Sequence, residues 1–108
     1  MSKFLYRSGS GAAIAAGIKQ LSTEKCVIRN LRVFNGHTAA SYIQVFDTAG
    51  TPAAAAVPDY LIGRLPADTG YESADATFSC ANGCTVALSS TPFTYTAVAA
   101  NAAFSAEL

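Results

Sequence analysis

Apolar and polar residues alternate along this chain in short runs, each cut off by glycine, proline, asparagine or aspartate, and a period of two over such lengths marks half-buried strands. Residues 25–35, KCVIRNLRVFN, set Val27, Leu31 and Val33 on one side of an extended chain and Cys26, Ile28 and Phe34 on the other. Apolar groups on both sides imply a strand inside a sheet, or one that bulges midway and exchanges faces. Gly36 to Ala40 turns the chain, and residues 42–47 return with Ile43 and Val45 opposed to Tyr42 and Phe46, which predicts a hairpin. Residues 48–58, TAGTPAAAAVP, form a loop, because neither proline can donate to a ladder. A short strand over 59–65 ends at Pro66, and the polar stretch 71–79 is extended and near a sheet edge. After Asn82-Gly83, CTVALSS reads as half-buried, with Val86 and Leu88 on one face and Thr85, Ala87 and Ser89 on the other. Residues 93–98 supply a further strand or a surface arm, and AAFSAEL closes with Phe104 and Leu108 inward.

Helical evidence is confined to one place. Ile14, Ile18 and Leu21 follow helical spacing among alanines over 12–21, but Gly11 and Gly17 weaken a helix, and an extended Ile14 to Leu21 feeds the strand pattern better. Turn signals every ~8–12 residues and about seven to eight strands are the arithmetic of an all-β chain folded as one jelly-roll-like β-sandwich. No repeat or linker divides it. Residues 1–12, rich in serine and glycine after an aromatic start, read as a short N-terminal arm that orders against a neighbour, and residues 13–108 as the sandwich.

A chain of 108 residues makes one domain and can bury roughly two-thirds of its extended surface. Its core has to be economical. Only 24 residues are Val, Ile, Leu or Phe, while 22 are Ala, and the net charge of zero argues against disorder. Residues 1–32 carry six basic side chains against Glu24, and residues 33–108 carry Arg64 against six acidic ones. That polarity could orient a subunit on an acidic neighbour, but interleaved strands would mix the two halves. Lys25 and Arg29 share one face of a regular strand and Arg32 takes the other, which speaks against a nucleic-acid surface. No run reaches the ~18 apolar residues of a membrane span, and the N-terminal apolar stretch is too short and interrupted for a signal sequence, so synthesis in the cytoplasm is expected.

The residue types that carry chemistry are sparse. Cys26, Cys80 and Cys84 leave an odd thiol in any pairing. A tight turn at Asn82-Gly83 would bring Cys80 and Cys84 within bridging distance, three Cys with His37 could hold zinc, and reduced thiols packed as small apolar groups are preferred to both. His37, the sole histidine, lies in the loop NGHTAA as a turn residue rather than a base. No nucleophile elbow, phosphate loop or dinucleotide fingerprint is present, and no cofactor is expected. Asp68, Glu72 and Asp75 cluster without the spacing of a calcium loop, so a solvated edge is preferred to a hydrolytic site. Tyr60, Tyr71 and Tyr95 keep a sugar-binding surface open despite the absence of tryptophan.

Taken in order, LRVFNGHTAASYIQVFDTAGTPA, VPDYLIGRLPADTGYE and FSCANGCTVALSSTPFTYT resemble small proteins encoded among the virion structural genes of tailed bacteriophages, across roughly residues 18–96. The shared pattern is a strand ending in Asn, a small-residue turn, a strand ending near Asp, a Pro-led strand, a Pro-and-Gly turn and a late strand after Gly. The cysteines flanking Ala81-Asn82-Gly83 and the N-terminal stretch depart from it. The resemblance implies a non-enzymatic β-sandwich on the particle surface, a capsid decoration (cement) subunit bound to the major capsid protein and to sister subunits, with a trimer favoured. A fibre or tail component and a carbohydrate-binding module are the alternatives. Phe4, Tyr6 and Arg7 on the arm are the candidate contacts with capsid or subunit, since repeated copies on a lattice gain avidity from modest contacts.

Overall fold

A computed structural model describes residues 4–9, 17–98 and 102–107 of the chain. Eight strands form in order: β1 (Phe4–Gly9), β2 (Ile18–Ser22), β3 (Cys26–Asn35), β4 (Ser41–Phe46), β5 (Tyr60–Leu65), β6 (Thr69–Cys80), β7 (Cys84–Ser89) and β8 (Ala102–Glu107). They make two antiparallel sheets. The first has the order β1-β8-β3-β6 and the second β2-β7-β4-β5. Successive strands mostly alternate between sheets, which is the winding of a jelly roll. The all-β sandwich expected from the alternation is therefore the observed fold. Phe4–Gly9, within the segment read as an arm, runs as β1 beside β8. Leu108 and the first part of the helix-or-strand segment, residues 12–16, lie outside the described residues.

The core lies between the sheets. Ile28, Leu31, Val33 and Phe104 from the first face Ile43, Val45, Val86 and Leu88 from the second, all essentially inaccessible. One residue makes the first half of this list work. Asn30 has φ 51° and the β3 register shifts between Arg29 and Leu31 against both neighbours, so β3 carries a bulge inside the sheet. An extra residue at a period of two exchanges the faces. Ile28 before the bulge and Leu31, Val33 and Asn35 after it all point inward, while Val27, Arg29, Arg32 and Phe34 point out. Arg29 and Arg32, which a regular strand would separate, consequently share the outer face.

The hairpin expected between β3 and β4 does not form. The two strands belong to different sheets, and Gly36–Ala40 is a corner between layers. Asn35 is fully buried there. Its Nδ2 donates toward the carbonyls of Ala39, Leu65 and Pro66 at 3.1–3.2 Å, and its Oδ1 accepts from His37 N. One side chain thus joins the β3–β4 corner to the β5–β6 turn, and buried backbone groups that no ladder reaches are satisfied.

β7 also differs from its half-buried reading, for all six residues are buried. The outward side chains Thr85, Ala87 and Ser89 are small, and two loops lie on them. Gln44 on β4 donates from Nε2 toward the carbonyls of Thr91, Pro92 and Thr94, and Thr85 Oγ1 donates toward those of Thr48 and Gly50. The loops are joined to each other by Ala55 N to Tyr95 O and Tyr95 N to Ala56 O. Beneath them Phe46 meets Tyr95 edge to face at 5.7 Å, with Ile18 and Ala87 completing a second, smaller core. Residues 93–98 form no strand beyond one isolated bridge, Ser89 to Ala97, and lie along the surface anchored by the buried Tyr95 and Val98.

Candidate functional site

The two broad faces of the sandwich are unequal. The outer face of the second sheet is covered by residues 48–58 and 89–96, which the polar pins Gln44 and Thr85 hold down. Among the described residues, the outer face of the first sheet carries no such cover along β3. Val27 is 39% and Phe34 44% accessible, and they bracket the exposed Arg29 and Arg32 on one row. Thr77 and Ser79, both exposed, are the Cα partners of Arg29 and Val27 on β6, while Ala103 and Glu107 partner Phe34 and Arg29 on β8. Asn30 Nδ2 donates to Glu107 Oε1 at 3.4 Å, so the bulge is tied to β8 at the middle of this face.

β1 forms the edge of the same sheet. Its backbone places Phe4, Tyr6 and Arg7 opposite Glu107, Ser105 and Phe104. The side chains of residues 4–9 lie outside the described residues, as do those of Glu72 and Asp75. Glu72 is the Cα partner of Arg32, and Asp68 occupies the β5–β6 turn with φ 53°, exposed. Basic and acidic residues from the two halves of the chain therefore meet across β3 and its neighbours, as interleaving requires.

At the opposite edge the layers are latched. Tyr60 on β5 stacks edge to face on Phe78 of β6 at 5.3 Å, and its hydroxyl donates to the Ser79 carbonyl at 2.8 Å. Tyr95 is buried under the loops. Two of the three tyrosines that could have made a sugar platform are thus engaged in packing. His37 also has a local task, its Nδ1 accepting from Ala39 N at 3.1 Å within the corner. An open groove of about 560 Å³ follows the edge of β2, lined by Ile18, Lys19, Gln20, Ala49, Gly50, Thr51 and Thr85. Among the described residues no three His, Cys, Asp or Glu side chains converge in a metal-binding arrangement, and no helix is long and apolar enough to cross a membrane.

The three cysteines gather at one pole as free thiols. Cys26 on β3 and Cys80 at the end of β6 are Cα partners, and Cys84 opens β7 in the other sheet. The intervening Ala81-Asn82-Gly83 is held by Asp47, whose Oδ1 accepts from Asn82 N at 2.8 Å, and Asp47 N in turn donates to Asp59 Oδ2 at 2.7 Å. Burial pushes the Cys80 thiol up to about 11 from 9.0, a contact with Cys84 opposing it and Cys26 adding to it. Burial and then the neighbouring Cys80 raise Cys84 as well. Both thiols stay neutral in the fold at pH values where the unfolded chain already ionises. The stability that the neutral Cys80 thiol contributes is complete below about pH 9 and lost as pH rises toward about 11, and Cys84 shifts in the same direction. Melting followed by circular dichroism across that window is expected to show a falling Tm, with a shallower fall in Cys80→Ala. A Tm independent of pH there contradicts the assignment.

Comparison of the chain with models of known families, with curated proteins and with solved structures found no match in any of the three.

Proposed function

We propose that this chain is a non-enzymatic structural subunit of a bacteriophage particle, and specifically a decoration subunit that lays the open face of its first sheet on the major capsid protein and meets sister subunits at the β1 edge. The observation that carries the reading is the inequality of the two faces. One is occupied by the chain's own loops, while the other presents Val27, Arg29, Arg32 and Phe34 in a row on a stiff central strand. Apolar groups beside arginines on a flat support are the composition of a protein-binding patch, in which aromatic and guanidinium groups anchor and the polar surroundings exclude water. A row on β3 is held by ladders on both sides, so little ordering entropy is spent on contact. The sequence resemblance supplies the particle as the setting.

Electron cryomicroscopy of purified particles tests the setting, with density for the sandwich expected on the head shell. Density on a fibre or tail would keep the structural role and remove decoration, and particles lacking the chain altogether would remove both. Binding to purified heads tests the face. Arg29→Glu combined with Phe34→Ala is expected to weaken binding by roughly thirtyfold or more, two anchor residues at ~1–2 kcal/mol each, with Tm nearly unchanged because both side chains are exposed. Unaltered binding by a folded double variant would remove this face from the interface.

A further inference from the structure

We propose that Cys26, Cys80 and Cys84 form a redox-responsive cluster in which Cys26 receives the oxidant and the lasting oxidised product is a Cys80–Cys84 disulfide that ties one sheet of the sandwich to the other. The inference rests on thiol placement alone and is independent of what the open face binds.

Cys26 is half-buried, whereas Cys80 and Cys84 are 2% and 0% accessible. A soluble oxidant therefore reaches Cys26 first. Cys80 is its cross-strand Cα partner, and partners on antiparallel strands stand ~4.5–5.5 Å apart at Cα, inside the range a disulfide spans. Cys80 and Cys84 belong to one buried core cluster and stand at the two ends of the three-residue spacer 81–83, so a bond at Cys80 has a second thiol in the same cluster. The spacer is pinned at both flanks, by Asp47 on Asn82 and by the packing of Gly83 against the Ala49 and Ser22 backbone, which keeps the pair together.

With hydrogen peroxide as oxidant the electrons balance in three steps. The Cys26 thiolate attacks one peroxide oxygen, an S–O bond forms, the O–O bond breaks and hydroxide leaves as water after taking a proton. Burial holds Cys80 and Cys84 largely neutral, so each attacks through its minor thiolate form: Cys80 gives up its proton and attacks the sulfenic sulfur, an S–S bond forms, the S–O bond breaks and the departing hydroxide takes up that proton as the second water. Cys84 then attacks the Cys80 sulfur, and the Cys26 thiolate leaves and collects the Cys84 proton. Two thiols have lost two electrons and two protons, and peroxide has become two waters. The last exchange is favoured by access, for a bond to Cys26 stays open to thiols in solution while a Cys80–Cys84 bond is sealed in the core.

The test treats the whole folded protein with hydrogen peroxide, blocks residual thiols with N-ethylmaleimide and maps the linkage by proteolysis and mass spectrometry. A Cys80–Cys84 link with Cys26 alkylated, resistant to dithiothreitol in the folded protein but reduced by it in urea, and accompanied by a raised Tm, is expected. Cys26→Ser, at a half-buried position where folding is retained, should slow formation of that link at least roughly tenfold. A stable Cys26–Cys80 product, sulfinic acid on Cys26 without any link, or equal rates in wild type and Cys26→Ser would each overturn the proposal.

Discussion

Gly83→Ala is expected to destabilise the fold by roughly 3 kcal/mol or more, although it adds a single methyl group. Gly83 is buried with φ 125°, a conformation that side-chain-bearing residues rarely adopt. A Cβ there would stand 2.9 Å from Ala49 Cα, 2.9 Å from Ser22 O and 3.0 Å from Ala49 N. All three are backbone atoms, so no rotamer change relieves the overlap, and the β2–β3 turn and the loop after β4 would both have to move. Two other glycines separate the causes. Gly63 has φ 145° and nothing within 4 Å of a Cβ, so Gly63→Ala should show conformational strain alone, about 1–2 kcal/mol. Gly50 has open space and no positive φ, and Gly50→Ala should be within about 0.5 kcal/mol of wild type. Urea unfolding of the three variants checks the order, and equal midpoints for Gly83→Ala and Gly50→Ala would refute it.

Phe104→Ala should cost about 3–5 kcal/mol, a large part of the ~5–15 kcal/mol that holds a domain of this size together. Phe104 is the largest fully buried side chain and lies on β8, with β1 on one side and β3 on the other. It is the cross-strand partner of Val33 and shares one core cluster with Leu31, Ile43, Val45, Val86 and Leu88, while the inner face of its own strand adds only Ala102 and Ala106. Side chains held on paired strands of both sheets collapse only partly into the space, so a cavity persists. Phe104→Leu should recover much of the loss. A midpoint in urea that moves no further for alanine than for leucine would place the weight of the core elsewhere.

How far the sequence could be read depended on which interactions decide each feature. Alternation is a local property, so the strands over 25–35, 42–47, 59–65 and 84–89 and the edge position of 71–79 were legible within a residue or two. The bulge at Asn30 was one of two readings of apolar residues on both sides of β3, and both hold, because β3 is also internal. The corner after Asn35 was not legible, since five residues suit a hairpin and a change of sheet equally well, and the choice is made by contacts of the Asn35 amide with Leu65 and Pro66 some thirty residues away. Thr85 and Ser89 read as outward polar residues for a similar reason. A side chain facing water and one holding a loop by its carbonyls have the same signature, and only the small size of Thr85, Ala87 and Ser89 hinted at a cover. The open row on β3 was hidden by the bulge, which moved Arg32 to the side of Arg29.

The position of β8 between β1 and β3 sets a schedule for folding. Neither neighbour can complete its hydrogen bonding until residues 102–107 have been synthesised, because the strand that joins them follows every other described strand in the chain. The second sheet, drawn from residues 18–89, can assemble sooner, but until β8 arrives only the β3–β6 pair of the opposing layer can cover its apolar side. Nascent chains therefore spend the interval with two unpaired strand margins, and stalling or truncation before Ala102 should yield aggregation-prone product rather than a smaller working unit.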